Sequence, residues 1–340
     1  YWDLTTLYKN EDNRFLQQLE FVGRFHGDYF RTNAKQGEDD DWIFRRLRLG
    51  LEATILEDFT LHVEGDFNPQ DGGSFYRGLT DAYLAWEPDP DLRFKLGKQS
   101  AGFTQDGHTS SNKLLTPERS NIANNLWFKE EYMPGISVRG RPSPWIYFLG
   151  LYSGGSANKE FGTFDGSAFL LAAGAYDFGK EIGAKEGYVV LDYVYQDPDP
   201  RNTFTAPLQH IASLLLRYDS GSWGLRTDLT GGAGYGSQSD LWGFSFLPFY
   251  SFSEHWQLVF RYTFMDAADP GGIRLGRYAN RITDERGDEY HEVYAGLNWF
   301  LNGHRLKLQT GVEWARLTDS GHSGSVYEGW SWISALRVSW

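Results

Sequence analysis

Cysteine is absent from the 340 residues, and methionine occurs only twice. Disulfides and thiolate chemistry are therefore excluded, although a chain without cysteine suits an oxidising periplasm and a reducing cytosol alike. Long apolar runs are missing too, and nothing approaches the roughly 20 consecutive apolar residues of a membrane-spanning helix. Uncharged stretches such as LWGFSFLPFYSFS (241–253) are interrupted by Ser, Gly and Pro. Positive charge is in deficit: 32 Lys and Arg against 45 Asp and Glu leave a net charge of −13. That balance argues against nonspecific nucleic-acid binding. The eight histidines show no metal-site spacing. In YQDPDPR each of Asp197 and Asp199 precedes a proline and no EF-hand glycine follows, so the segment reads as a rigid turn and not a calcium loop. GGAGYGS (231–237) does not lie between a strand and a helix, which removes a phosphate-loop reading. No metal, cofactor or catalytic set is expected. No linker marks a second domain, so residues 1–340 are read as one domain. No leader is visible at Tyr1, and an exported chain would be numbered from its cleavage site or further in.

What the chain does have is glycine (39), tryptophan (13), tyrosine (20) and alternation with period two. In FTLHVEGDF, Phe59, Leu61, Val63, Gly65 and Phe67 take one face while Thr60, His62, Glu64 and Asp66 take the other. Trp256, Leu258, Phe260, Tyr262 and Phe264 alternate with Gln257, Val259, Arg261 and Thr263. Leu306, Leu308, Thr310, Val312 and Trp314 oppose Arg305, Lys307, Gln309, Gly311 and Glu313. The second face is often charged and holds few bulky apolar residues.

A soluble sandwich would bury the apolar face in a core. A membrane barrel would turn it to lipid and enclose the polar face in a lumen. Three features favour the barrel. The alternating segments run about 10 to 15 residues, long for a sandwich strand. Trp42, Trp86, Trp145, Trp223, Trp256, Trp299 and Trp340 gather near segment ends, the position of an aromatic girdle. Short turns such as LED (56–58) and EPDPD (87–91) alternate with longer polar loops, of which 265–287 is one. Segments centre near residues 22, 49, 63, 83, 95, 138, 149, 173, 190, 213, 226, 246, 260, 295, 310 and 334. The fold class is therefore all-β, a transmembrane antiparallel barrel of about sixteen strands, the last of which, GWSWISALRVSW, closes on the first.

Residues 20 to 127 resemble the phosphate-selective porin O and P family, a family of the bacterial outer membrane. The resemblance is carried by VGRFHGDYF (22–30), IFRRLRLGLEATI (43–55), LTDAYLAW (79–86), LRFKLGKQSAGF (92–103) and TSSNKLLTPERSN (109–121). It implies a homotrimer of sixteen-stranded barrels, each narrowed by a long loop after the fifth strand, with arginines along a route that anions prefer. The loop corresponds to about residues 100–126. Arg24 and Arg46 match ladder arginines. Asp81, Ser110, Ser111 and Arg119 match residues around the family's phosphate site, Asp81 being expected to neutralise part of its charge. The lysine that marks that site falls on Gly107 and is missing, while Lys113 lies one position from a further family lysine. Arginines of a later family loop have no clear counterpart.

Period two places Arg46 and Arg48 on the inward face with Gly50 and Glu52, and Arg24 inward with Glu20, His26 and Asp28. Arg45 matches the family but shares parity with Leu47 and Leu49, which points it outward unless the strand bulges. Arginine suits an anion route because its planar fork stays charged and bonds oxyanions in pairs. Inward acids such as Glu64, Asp66, Asp228, Glu292 and Glu313 would pair many of these cations. The expected function is passive diffusion of small solutes, anions preferred, through an outer-membrane porin embedded in lipid. A general or sugar-permeable porin, or a structural barrel within an envelope complex, are the alternatives.

Overall fold

Alternation with period two needs two environments, and the computed structural model provides them as the outside and inside of a closed barrel. It describes residues 2–70, 73–321 and 324–340. A short strand β1 (Thr6–Lys9) precedes sixteen barrel strands. The first eight are β2 (Leu16–Ala34), β3 (Gly37–Ile55), β4 (Phe59–Phe67), β5 (Tyr76–Asp89), β6 (Leu92–Ser100), β7 (Tyr132–Gly140), β8 (Trp145–Ser153) and β9 (Ala168–Asp177). The second eight are β10 (Glu186–Gln196), β11 (Leu208–Ser220), β12 (Trp223–Gly234), β13 (Leu241–Ser251), β14 (Trp256–Ala267), β15 (Glu289–Asn302), β16 (Leu306–Thr318) and β17 (Ser325–Ser339). Each barrel strand pairs antiparallel with the next, and β17 returns to β2 with Ser339 opposite Arg24. Each of the sixteen expected segment centres falls within one of these strands.

Burial is inverted relative to a soluble protein. Leu61, Val63, Leu151, Leu191 and Phe260 are exposed on the outer wall, whereas Asp28, Arg261, Lys307 and Arg337 are buried inside. One end of the barrel carries tight turns (56–58, 90–91, 221–222, 303–305) and the other long connections (101–131, 154–167, 268–288). Trp86, Trp145, Trp223, Trp256 and Trp299 are exposed on the outside near the tight-turn end, as a girdle requires.

Three local departures shape the interior. First, β3 bulges at Arg45: His26 pairs with Arg46 but Gly27 pairs with Phe44, so Arg45 is the extra residue. Parity flips across it, leaving Trp42 and Phe44 exposed while both Arg45 and Arg46 turn inward.

Second, the lumen is not uniformly polar, as strand patterning suggested. Met133, Val194, Ile211, Leu241, Met265 and Leu317 pack into one buried cluster with Ile122, Leu126, Trp127 and Phe128 of the loop after β6. Alternation divides the chain into two faces but does not fix what each face meets, and here inward loops supply an apolar partner.

Third, β5 and β6 separate beyond the pair Ala82–Lys98, because β6 ends at Ser100 and the chain turns inward. Loop 154–167 fills that gap: Leu79 N–H donates to the Lys159 carbonyl (2.7 Å) and the Lys98 ammonium to the Glu160 carbonyl.

Candidate functional site

The loop between β6 and β7 spans residues 101–131, five residues longer at its far end than expected from sequence. Its two helices, α1 (Thr104–Gly107) and α2 (Asn121–Leu126), are too short to be stable alone and lack side-chain caps. The barrel wall holds them in the lumen. Arg261 of β14 donates to Thr116 Oγ1 (3.0 Å) and the Glu118 carbonyl (2.9 Å). Lys307 of β16 donates to the Leu114 carbonyl (2.5 Å), and Arg337 of β17 to that of Pro117 (2.9 Å). On the opposite wall His108 bonds Asp192 of β10 (2.8 Å), and the Gln105 N–H donates to Asp228 of β12 (2.8 Å). The loop therefore crosses the lumen and leaves open space chiefly beside β3 to β9.

That space forms a chamber on each side of the loop. The outer chamber, on the long-loop side, encloses about 790 Å³. Nine lysine and arginine side chains line it against four carboxylates. The inner chamber, on the tight-turn side, encloses about 670 Å³ and is lined by seven lysines and arginines against two carboxylates. Both are basic in a chain of net charge −13, because the acidic excess lies elsewhere.

Of the sequence-derived candidates, Arg46, Arg48 and Arg119 meet on the wall of the outer chamber. Arg24 and Ser111 meet each other, the guanidinium donating to the hydroxyl at 3.0 Å. Ser110 is exposed on the loop and takes no part in that contact. Asp81 takes the inward parity of Tyr83 and forms no ion pair within 4.0 Å among the described residues. The neutralising carboxylates are others. Glu64, almost fully buried, accepts from Thr80 Oγ1 (3.0 Å) and pairs with Arg24 (3.4 Å) and Arg48 (4.0 Å). Glu131 pairs with Arg119 (3.0 Å) and Arg48 (3.5 Å). Arg48 also donates to the Tyr132 hydroxyl. Burial alone would raise the Glu131 carboxyl, but Arg119 and Arg48 outweigh it and hold it well below the usual carboxylate range. Glu118 follows the same pattern under Arg45 and Arg277.

Arg46 is different. It is 4% exposed, lies within 4.0 Å of no carboxylate among the described residues, and its Nε has no hydrogen-bond partner. A buried charge without a close ion pair is costly unless something else compensates it.

The departure at Gly107 also has a structural reason. A Cβ there would stand 3.1 Å from Trp127 Cε2. The indole donates to the Ala101 carbonyl (2.9 Å) and stacks under the Arg119 guanidinium at 4.8 Å. Position 107 therefore faces the loop's own core and not the chamber.

Against this geometry stand the relatives. The family described as phosphate-selective porin O and P matches residues 20–196, more than half of the chain. The chain belongs to that family. No curated protein sequence matches it. Among solved structures, the outer membrane channel DcaP of Acinetobacter baumannii is similar over 98% of this chain and 100% of its own, with a TM-score of 0.63 and 13% identity. OprB of Pseudomonas putida is similar over 95% and 94%, with a TM-score of 0.67 and 11% identity. OmpT of Vibrio cholerae is similar over 98% and 100%, with a TM-score of 0.61 and 12% identity. At such identities the likeness concerns the fold.

The chain is thus a porin of the bacterial outer membrane, a channel-forming barrel. Several residues of this porin's chamber were not singled out from sequence. Arg274 and Arg277 belong to loop 268–288, which dips into the lumen: Tyr278 donates to Asp28 (2.6 Å) and stacks on Phe30, and Arg277 pairs with Glu118 (3.3 Å). The only local signal was RLGRY within a segment read as an ordinary outer loop.

Proposed function

We propose that this porin passes small anions in preference to cations, and that Arg46 in the outer chamber is the centre of that preference. The observation that carries the reading is the buried Arg46 guanidinium, without an ion pair within 4.0 Å among the described residues, in a chamber with more cations than carboxylates. A low-dielectric wall focuses the field of a few charges, so local sign outweighs net charge. An entering anion exchanges part of its hydration shell for fixed guanidinium donors, and the paired arginines Arg24, Arg48 and Arg119 hold the shape of the site without trapping it. Ser111 helps by fixing Arg24, and exposed Ser110 offers a further hydroxyl. Without a lysine at Gly107, phosphate and chloride are expected to be poorly discriminated. For the sugar-permeable alternative, Phe103 is buried within the loop's own packing, while Trp127, Phe128 and Tyr132 border the outer chamber.

The homotrimer is supported by the low wall at β4 and β6 to β8, strands of nine residues. Nine residues tilted by about 45° rise only about 21 Å, short of an apolar band about 25 Å tall. A second copy seated on the apolar groove of Leu84, Phe94, Leu96, Ile136, Leu149 and Leu151 would relieve that mismatch. Light scattering with detergent subtracted should give three times 38.9 kDa, and a single-chain mass would overturn the assembly.

The anion reading is tested by reversal potential across a salt gradient in planar bilayers. The unmodified pore should prefer anions, and joint replacement Arg46→Gln and Arg119→Gln should lower or invert that preference. A pore that prefers cations from the start would mean that the inward carboxylates dominate the field.

A further inference from the structure

Several of the lumen arginines around the loop have a carboxylate partner, whereas Arg217 bonds Gln105 and Thr109 of the loop instead. Arg24 has Glu64 (3.4 Å), Arg45 has Glu118, Arg119 has Glu131 (3.0 Å), Arg261 has Glu292 (2.6 Å) and Arg337 has Asp28. Arg46 instead directs a terminal nitrogen at His26 Nδ1, 3.5 Å away. His26 lies directly opposite Arg46 across the β2–β3 pair and opposite Arg337 across the β17–β2 pair, with no exposed surface. Its other nitrogen, Nε2, lies 3.1 Å from Asn112 Oδ1 of the constriction loop.

These contacts fix the state of the ring. A guanidinium has only donors, so His26 Nδ1 must present its lone pair to Arg46. The hydrogen then resides on Nε2 and is donated to the Asn112 oxygen. The imidazole can hold Arg46 in this way only while neutral.

We infer that His26 is a positioning residue for selectivity: it orients Arg46 with a neutral acceptor, so that the guanidinium is fixed in place without a direct ion pair and its charge stays open to the permeating anion. A carboxylate at position 26 would orient Arg46 equally well and cancel it, as Glu64 does for Arg24. Asn112 extends the arrangement into the loop, so that the ring, the arginine and the constriction share one register. The inference rests on the anion reading of the outer chamber.

The experiment compares the unmodified porin with His26→Glu, His26→Gln, His26→Leu and Arg46→Gln in planar bilayers with a potassium chloride gradient. Folding of each variant is checked by heat-modifiable mobility. His26→Glu should lower the anion-to-cation permeability ratio at least about fivefold, the effect of cancelling one unit charge about 4 Å from the ion even at the dielectric constant of water. Arg46→Gln should lower it by a similar factor. His26→Gln, which still offers a neutral acceptor, should stay within about twofold of the unmodified pore. Should His26→Glu fail to fold, His26→Leu keeps the test: it leaves the charge but removes the acceptor, so open-channel current noise should rise. A ratio lowered by Arg46→Gln but unmoved by His26→Glu, or unchanged noise in His26→Leu, would overturn the role of His26. A ratio unmoved by Arg46→Gln would instead overturn the anion reading beneath it.

Discussion

Replacing Arg261 by methionine tests how the constriction is held. Arg261 of β14 is 2% exposed and serves two tasks with one guanidinium. Its Nε pairs with Glu292 Oε1 at 2.6 Å and one terminal nitrogen with Glu313 at 3.4 Å. The other terminal nitrogen donates to Thr116 and Glu118 of the loop. Methionine fills similar space but leaves Glu292 buried with only the hydroxyls of Tyr290 (3.0 Å) and Thr263 (3.2 Å) as donors. Breaking a buried ion pair by removing one partner costs about 3–5 kcal/mol. The two donations to the loop are each worth about 1.5–3 kcal/mol when the donor is charged. The terms share one side chain and do not add in full, so a loss of about 4–6 kcal/mol is expected. Urea unfolding in detergent, followed by tryptophan fluorescence, measures it. Restoring neutrality with Arg261→Met and Glu292→Met together should recover a large part, a coupling of about 2 kcal/mol or more. The freed segment around Thr116 should also make single-channel current noisier. An Arg261→Met unfolding free energy within about 1 kcal/mol of the unmodified porin would refute the reasoning, because a buried carboxylate stripped of its cation could not be so cheap.

Acid should weaken the loop's ion pairs in a definite window. The carboxyls of Glu118 and Glu131 are held below their ordinary values, so their stabilisation is complete above the unfolded pKa of about 4.3 and is lost as pH falls below it. The difference in urea midpoint between the unmodified porin and Glu118→Gln should therefore be constant from about pH 8 to pH 6 and shrink toward pH 3, and a difference as large at pH 3 would contradict this. Gly107→Lys should not create a phosphate site, since its Cβ would press on Trp127; phosphate block of chloride current that tightens tenfold or more in this variant would show that the lysine can reach the chamber. Gly78→Ala should destabilise the β5–β6 seam by about 1–3 kcal/mol, because Gly78 has φ +151 and its Cβ would stand 2.6 Å from the Lys159 carbonyl oxygen. An unchanged unfolding midpoint would argue that loop 154–167 does not seal the wall there.

The barrel and the sidedness of most of its residues were legible in the sequence. Alternation is local: each residue's parity follows from its neighbours, so Leu61 and Val63 outside and Arg261 and Lys307 inside needed no knowledge of distant strands. The strand centres, the asymmetry of turns and the inward loop after β6 came from the same local signals together with the family likeness. Arg45 marks the first limit. One inserted residue reverses parity, and the bulge is defined by the register between β2 and β3 and not by the residues of β3 alone.

The site itself belongs to the tertiary structure. Whether an inward arginine is neutralised depends on carboxylates that are far away in the chain: Glu64 for Arg24, Glu131 for Arg48, Glu118 for Arg45. Sequence assigned the neutralising part to Asp81, yet no arginine pairs with it among the described residues. Arg274 and Arg277 reach the chamber only because Tyr278 and Asn125 dock loop 268–288 inside the barrel. The apolar cluster of Val194, Ile211, Leu241 and Met265 was invisible for the same reason. Period two says that a side chain faces the lumen, but only the folded loops decide whether it meets water, a counter-charge or a hydrophobic core.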